Sequence, residues 1–365
     1  MSVLSITLFV ICVGTVIGAI RFWGVRLGVA GVLGVALLYG FTCGAIPDIQ
    51  IGNICIALYP QNAELLFSFL STLGTALFLS VVSLQAGTCM CEGASKRKYR
   101  ALLGGMTIVL LGAISTLPFI FAFKEQIAFW IGALSGGMTS TPTMAVANEL
   151  FAGDALVTMG YGASYCFGLY SIVLTAQFLG RRNKTNLTIV APQKENMQPI
   201  KTLQPVMVVA LGGTLLGSVR LGGAPIGTTV GVLVVGTTVG LIIAKNKKRF
   251  EDGGNLRNLG LMLFFVGAGV PAGLTLTKTF LWQGFVAGAV VSLVSITMGY
   301  IVIRHILRFN IEDSLSVLCG GMTSTPAIVV LHEKNPRTDL SLYTISYLGA
   351  LISLVLCVHL LALLK

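Results

Sequence analysis

The sequence predicts an all-α polytopic membrane protein made of two inverted-topology repeats, each with five transmembrane helices and one re-entrant helical hairpin. Three observations carry that prediction. The composition suits lipid rather than water, the string GGMTSTP occurs twice within an internal duplication, and the basic residues fit one threading of the bilayer.

Of the 365 residues, 55% are hydrophobic and 10% charged, with a mean hydropathy of +0.89, against about 25% charged in a soluble domain. A spanning helix needs about 20 mostly apolar residues, and such stretches recur along the whole chain with short polar gaps between them. The first, Val3 to Ile20, lacks a basic flank and a small-residue cleavage site and reads as a retained helix. The net charge of +11 arises from Lys and Arg clustered between apolar segments, not on one basic face. It therefore points to membrane topology and away from nucleic acid. Seven of the eight cysteines lie in or beside apolar segments without CxxC spacing and read as reduced small apolar residues. No Ser-His-Asp set, zinc-ligand spacing or phosphate loop is present, so neither an enzyme nor a cofactor is expected; a coupling ion such as sodium stays open.

Four blocks recur in the same order. Residues 14–28 (GTVIGAIRFWGVRLG) match residues 213–227 (GTLLGSVRLGGAPIG) without a gap, and Leu73, Gly74, Leu77, Phe78, Ala86 and Gly87 match Leu259, Gly260, Leu263, Phe264, Ala272 and Gly273. Then come the two GGMTSTP strings, Gly136 to Pro142 and Gly320 to Pro326, each followed seven residues past the proline by a glutamate, Glu149 or Glu333. Ser164-Tyr165 pairs with Ser346-Tyr347. A duplicated chain follows, with one repeat over residues 1–180, a cytoplasmic linker over 181–202 and a second repeat over 203–365.

Each half offers six apolar segments, at 3–20, 27–46, 64–87, 101–123, 128–148 and 155–179 and again at 203–219, 226–244, 258–275, 280–303, 314–331 and 339–364. If all six crossed, the cluster at Arg181, Arg182 and Lys184 would lie opposite the one at Lys96 to Arg100, against the positive-inside bias. If the fifth segment enters and leaves by one face, twenty of the 24 Lys and Arg fall inside and four outside, at Lys124, Arg220, Lys278 and Lys365. Five crossings per half is an odd number, so the halves are inverted, the hairpins enter from opposite faces and both termini lie outside.

The fifth segments carry the chemistry. Gly136 and Gly137 permit close approach and unusual backbone angles. Pro142 suits the first turn of a helix, and Thr141 before it is biased to an extended conformation and can cap that helix. GGMTSTP thus reads as a helix break followed by a fresh half-helix, whose free N–H groups and positive dipole end favour an anion, helped by the hydroxyls of Thr139, Ser140 and Thr141. The second copy offers the same with Gly320, Gly321, Thr323, Ser324, Thr325 and Pro326. Small residues also serve plain helix packing, which is the expected role of Gly14, Gly18, Gly213 and Gly217; an identical seven-residue string in both halves asks for more. Two opposed half-helix starts meeting near the midplane would form a substrate site.

Acidic residues are nearly absent from the apolar segments, which argues against a proton relay. Glu149 and Glu333 lie at the ends of the half-helices, as solvated residues or as gating groups. Gln85, a lone amide in the third segment, and Tyr165 and Tyr347, in equivalent places after the hairpins, are further candidates for gating or support of the site. Beside a transporter, the sequence leaves open an anion channel or uniporter and a substrate-binding membrane sensor.

On these residues, Gly136 to Pro142, Gly320 to Pro326 and the following GYGASYCFG at Gly160 to Gly168, the chain resembles the aspartate:alanine exchanger family. That family has a duplicated membrane domain with a Gly-rich, Thr-x-Thr-Pro type hairpin in each half. The resemblance implies secondary antiport of small amino acids or carboxylates by alternating access, as a homodimer in the bacterial inner membrane, with a small anionic or zwitterionic solute bound between the hairpins. Larger family members insert a cytoplasmic regulatory domain between the halves; here Arg181 to Lys201 is a short linker.

Overall fold

The computed structural model describes residues 2–22, 25–26, 28–46, 48–51, 54–60, 63–90, 96–180, 198–200, 203–221, 224–225, 227–250, 254–274, 278–334 and 338–364. Its helices fall into two series of seven in the same order. The first is α1 (Val3–Ala19), α2 (Ala30–Ala45), α3 (Ala63–Met90), α4 (Lys96–Ala122), α5 (Ile127–Gly137), α6 (Thr141–Leu150) and α7 (Ala155–Gly180). The second is α8 (Gln204–Ser218), α9 (Thr228–Lys245), α10 (Gly254–Leu274), α11 (Lys278–Ile301), α12 (Ile311–Gly321), α13 (Thr325–Lys334) and α14 (Leu340–Ala362).

Length and hydropathy make α3, α4, α7, α9, α10, α11 and α14 long enough to cross a bilayer; α1, α2 and α8 are shorter apolar helices. Each apolar segment expected from the sequence is a helix within a few residues of its expected ends, except that both fifth segments are broken in two. Short two-stranded pairings, unforeseen from the sequence, join helix ends: Arg21–Phe22 with Val25–Arg26, Asp48–Ile51 with Ile54–Ala57, Arg220–Leu221 with Ala224–Pro225, and, in parallel, Gln198–Ile200 with Lys248–Phe250.

The main packings of one series recur in the other. α2 packs on α10 and α9 on α3; α4 on α14 and α11 on α7; α5 on α7 and α12 on α14; α6 on α14 and α13 on α7. This exchange of partners is a pseudo-twofold relation, and its axis runs through the α3–α10 crossing. A Cβ at Gly74 would meet the Gly260 carbonyl at 2.5 Å and one at Gly260 the Gly74 carbonyl at 2.9 Å, and the Phe78 and Phe264 rings lie 5.7 Å apart. Residues paired by the repeat therefore touch each other across the axis. Small residues permit these approaches where apolar surface gains nothing by leaving lipid. Gly14 and Gly213 lie against Val32 and Val232 in the same way, which places them in plain packing.

One end of the bundle gathers several helix ends. Arg97 Nη2 lies 2.6 Å from Asp313 Oδ1 and Nη1 3.6 Å from Asp339 Oδ2. Asn310 and Asp339 cap α12 and α14 through the N–H groups of Asp313 and Ser341, so α4, α12 and α14 all begin here. Leu179 and Gly180, ending α7, line a small cavity with Ile311, Glu312 and Thr338. α3 and α9 finish together, because a Cβ at Gly240 would meet Leu84 O at 2.5 Å and Thr88 N at 3.0 Å. This end therefore carries the basic clusters at Lys96 to Arg100, Lys245 to Arg249, and Arg304 with Arg308. At the opposite end, the Glu149 carboxylate near the end of α6 accepts the Thr229 N–H at the start of α9, at 2.8 and 3.0 Å. Since α9 runs from there to the basic end, the α5–α6 hairpin opens opposite to the α12–α13 hairpin.

Candidate functional site at the hairpin tips

The half-helices have 11, 10, 11 and 10 residues. At 1.5 Å per residue each is about 16 Å long, roughly half of a hydrocarbon core of about 30 Å. The two tips accordingly meet in the interior. Met138 and Met322 are fully buried and Thr139 and Thr323 nearly so.

Both breaks share one backbone design. Thr139 N–H donates to Gly136 O at 2.9 Å and Ser140 N–H to Ser135 O at 2.8 Å; Thr323 N–H donates to Gly320 O at 2.9 Å and Ser324 N–H to Cys319 O at 3.0 Å. This is the Schellman helix ending, whose left-handed position ordinarily holds glycine. Here that position is threonine, with φ of 55° at Thr139 and 50° at Thr323. A β-branched residue there is a genuine outlier and costs on the order of 1–3 kcal/mol.

The compensation lies across the axis. Thr139 Oγ1 donates to Met322 O at 2.6 Å, and Thr323 Oγ1 donates to Met138 O at 2.9 Å. The strained backbone aims each hydroxyl at the opposite tip, where it satisfies a helix-terminal carbonyl that would otherwise be buried unpaired. The tips are thus bonded to each other rather than held apart around an open space.

The remaining motif residues divide by role. Ser140 is the N-cap of α6, one residue before the Thr141 expected from the sequence, and Pro142 sits in the first turn. The cap moves back because Thr139 completes the turn and Ser140 is the first extended residue, with φ −99° and ψ 94°. Its hydroxyl pairs with Thr143 Oγ1 at 2.7 Å. Ser324 Oγ accepts the Ala327 N–H at 3.4 Å. Thr141 Oγ1 lies 2.9 Å from Tyr161 Oη. The side chain of Thr325 lies outside the described residues.

Gly136, Gly137, Gly320 and Gly321 do not adopt the unusual backbone angles expected of them; the positive φ falls on the threonine two or three residues later. The glycines supply closeness instead. A Cβ at Gly320 would meet Ser346 Cβ at 2.8 Å and Tyr347 N at 2.9 Å, and one at Gly136 would collide with the Tyr161 carbonyl and Ser164 Oγ. Ser292 Oγ on α11 donates to Gly137 O at 2.8 Å.

The other sequence candidates are dispersed. Tyr165 packs on Tyr161, centroids 5.2 Å apart, and Tyr347 on Tyr343 at 5.9 Å. Gln85 is half-buried on α3, and its backbone carbonyl accepts the Thr88 hydroxyl. Glu149 lies about 12 Å from the tip along α6, engaged with the start of α9, where a carboxylate complements the helix dipole. The Glu333 side chain lies outside the described residues. Tyr161, fully buried and bonded to Thr141, was missed by sequence reasoning. Its signal was present, because Tyr161 and Tyr343 precede the Tyr165 and Tyr347 pair by the same four residues.

A family described as a predicted permease membrane region, Asp-Al_Ex, matches residues 6–181 and 205–363. The chain belongs to the Asp-Al_Ex family. This is the aspartate:alanine exchanger resemblance read from the motifs, and the two matched segments are consistent with a duplicated domain. Among Asp-Al_Ex relatives, an uncharacterized transporter of Rhodopirellula baltica is 28% identical over 48% of this chain and 29% of its own length. One from Bacteroides thetaiotaomicron is 25% identical over 49% and 30%. One from Desulfotalea psychrophila is 30% identical over 40% and 27%. The aligned parts thus span under a third of each relative. With its apolar helices, this Asp-Al_Ex chain is an integral membrane protein whose relatives are named as transporters.

Proposed function

We propose that the protein is a secondary transporter, not an enzyme, that exchanges small carboxylate-bearing solutes, amino acids among them, by alternating access. It works as a homodimer in a bacterial inner membrane with both termini outside. The two hairpins are re-entrant, the basic end of the bundle faces the cytoplasm, and the substrate binds beside the half-helix starts at Thr141 and Thr325. The observation that carries this reading is the reciprocal Thr139–Met322 and Thr323–Met138 bonding of two tips whose hairpins open to opposite ends. Such a junction has two equivalent ways to open, one toward each side, and a mobile element of that kind is what alternating access requires.

The half-helix starts supply the affinity. Thr141 N–H and Thr143 N–H have no intrahelical acceptor at this position, and the dipole end favours a carboxylate. The partners are a small anionic or zwitterionic solute and the surrounding lipid bilayer, with a coupling ion such as sodium left open and no nucleic-acid role.

Counterflow in proteoliposomes tests this. Vesicles preloaded with unlabelled aspartate, alanine or succinate are expected to accumulate the labelled solute at least tenfold over empty vesicles. Equal flux in preloaded and empty vesicles would identify a channel or uniporter instead, and specific binding without flux a sensor.

A further inference from the structure

The repeat makes the two hairpins equivalent in topology, yet they are seated differently. The α5–α6 hairpin lies on α7 backbone to backbone. A Cβ at Gly132, Gly136 or Gly160 would collide with the carbonyl of Val157, Tyr161 or Phe129, and one at Gly168 would meet the Gly137 carbonyl at 2.6 Å. Ser292 Oγ on α11 adds its bond to Gly137 O. In the α12–α13 hairpin the repeat keeps Gly320 but puts Ser316, Leu342 and Ala350 where Gly132, Gly160 and Gly168 stand in the first half. Without those glycines α12 cannot seat on α14 as closely. The Ser316 hydroxyl is also buried with no hydrogen-bond partner among the described residues, which disfavours the seated position.

The chain enters the two hairpins differently as well. It reaches α5 through one 3₁₀ turn, Lys124–Gln126. It reaches α12 through a π-helical turn, Val302–Ile306, where Leu307 N–H donates to Val302 O, and then through Arg308 in the left-handed region with φ 55°. A π turn followed by a strained residue is the local structure of a hinge. At the mouth of this hairpin, the small cavity between Ile311 and Leu315 of α12, Leu331 of α13 and Leu179 of α7 leaves room for movement. The Arg97 ion pair closes that mouth. Asp313 in the first turn of α12 is 8% exposed and meets Arg97 at the start of α4, which also reaches Asp339 before α14. The repeat places Phe129 opposite Asp313, so the α5–α6 hairpin carries no carboxylate there.

We propose that the α12–α13 hairpin is the moving gate of the site, hinged at residues 302–309 and latched at the basic end by Arg97 on Asp313. The α5–α6 hairpin is the fixed jaw against which its tip closes. The purpose of the gate rests on the transporter reading; its movement is measurable without any solute.

The test is N-ethylmaleimide alkylation of the buried Cys319 thiol, just before Gly320 in α12, followed by mass spectrometry on the purified full chain in lipid nanodiscs. Ser135→Cys puts the same reporter at the equivalent place in α5. Arg97→Gln is expected to speed Cys319 alkylation about fivefold or more, the scale of one ion pair. The helix dipole still favours the Asp313 charge, so the fold should persist, with the Ser135→Cys thiol and the buried Cys43 and Cys357 within about twofold of their original rates. Arg97→Lys should stay near wild type. Raising salt from about 0.05 M to about 1 M should speed Cys319 in wild type, because Arg97 is half in solvent and the pair is screened; this arm needs no variant. A Cys319 rate unmoved by Arg97→Gln and by salt, an equal rise at the Ser135→Cys thiol, or a general rise that includes Cys43 and Cys357 would overturn the proposal. The expected labelling without counterflow of aspartate, alanine or succinate would remove the transporter reading and leave the gate standing.

Discussion

Replacing Thr139 and Thr323 together by valine is expected to lower exchange at least tenfold and to reduce thermal stability in detergent. Valine keeps the β-branch and hence the left-handed strain, but it removes both donors to the Met322 and Met138 carbonyls. Each carbonyl belongs to a fully buried residue, and a buried acceptor left unpaired costs about 1–3 kcal/mol. Even the lower bound for two such losses, about 2 kcal/mol, exceeds a tenfold change in an equilibrium. Serine at both positions retains the hydroxyls and is expected to exchange within about twofold of wild type. Glycine at both positions relieves the backbone strain yet deletes the donors, so it should melt closer to wild type than valine while exchanging as poorly. Counterflow and thermal unfolding on the three double variants separate the bond from the backbone.

Gly136→Ala and Gly320→Ala should be among the most damaging single changes in the hairpins. At Gly320 an added methyl would lie 2.8 Å from Ser346 Cβ and 2.9 Å from Tyr347 N; at Gly136 it would run into the Tyr161 carbonyl. Backbone atoms of α7 and α14 cannot rotate away as a flexible side chain can, so each hairpin must shift as a body. Overpacking of this kind costs about 1–3 kcal/mol or more, and the shift also moves the tip bonds. Alanine at either site is expected to abolish exchange and lower the unfolding temperature by several degrees. Gly34→Ala, where nothing lies within 4 Å of the new methyl, should leave both unchanged.

Much of the fold was legible because lipid imposes simple rules. Apolar runs had to be helices, and the repeated glycines and basic clusters fixed which segments corresponded. The break at GGMTSTP was legible for the same reason: two glycines and a proline within seven residues cannot continue a helix cheaply. The atomic working of the break was not. Local preference assigns the unusual backbone to Gly136 and Gly137, whereas it falls on Thr139, and only a partner 183 residues away explains why. Such a conflict between local and global preference is where functional strain concentrates. Glu149 shows the same limit. Its place at a half-helix end was readable, but its engagement with the start of α9 depends on packing between the two halves. Tyr161 is the opposite case, since the four-residue offset from Tyr165 that it shares with Tyr343 and Tyr347 is written in the sequence itself.

The central claim is that the two tips meet and must part for transport. Thr139→Cys with Thr323→Cys, in a full-length chain carrying a protease site within the linker over residues 181–202, tests both clauses in one sample of reconstituted protein. The account predicts that oxidation or a short bis-thiol reagent joins the two halves, so that they migrate together after cleavage, and that exchange stops and returns on release of the link. Halves that stay separable under those conditions, or exchange that continues with the tips joined, would contradict it.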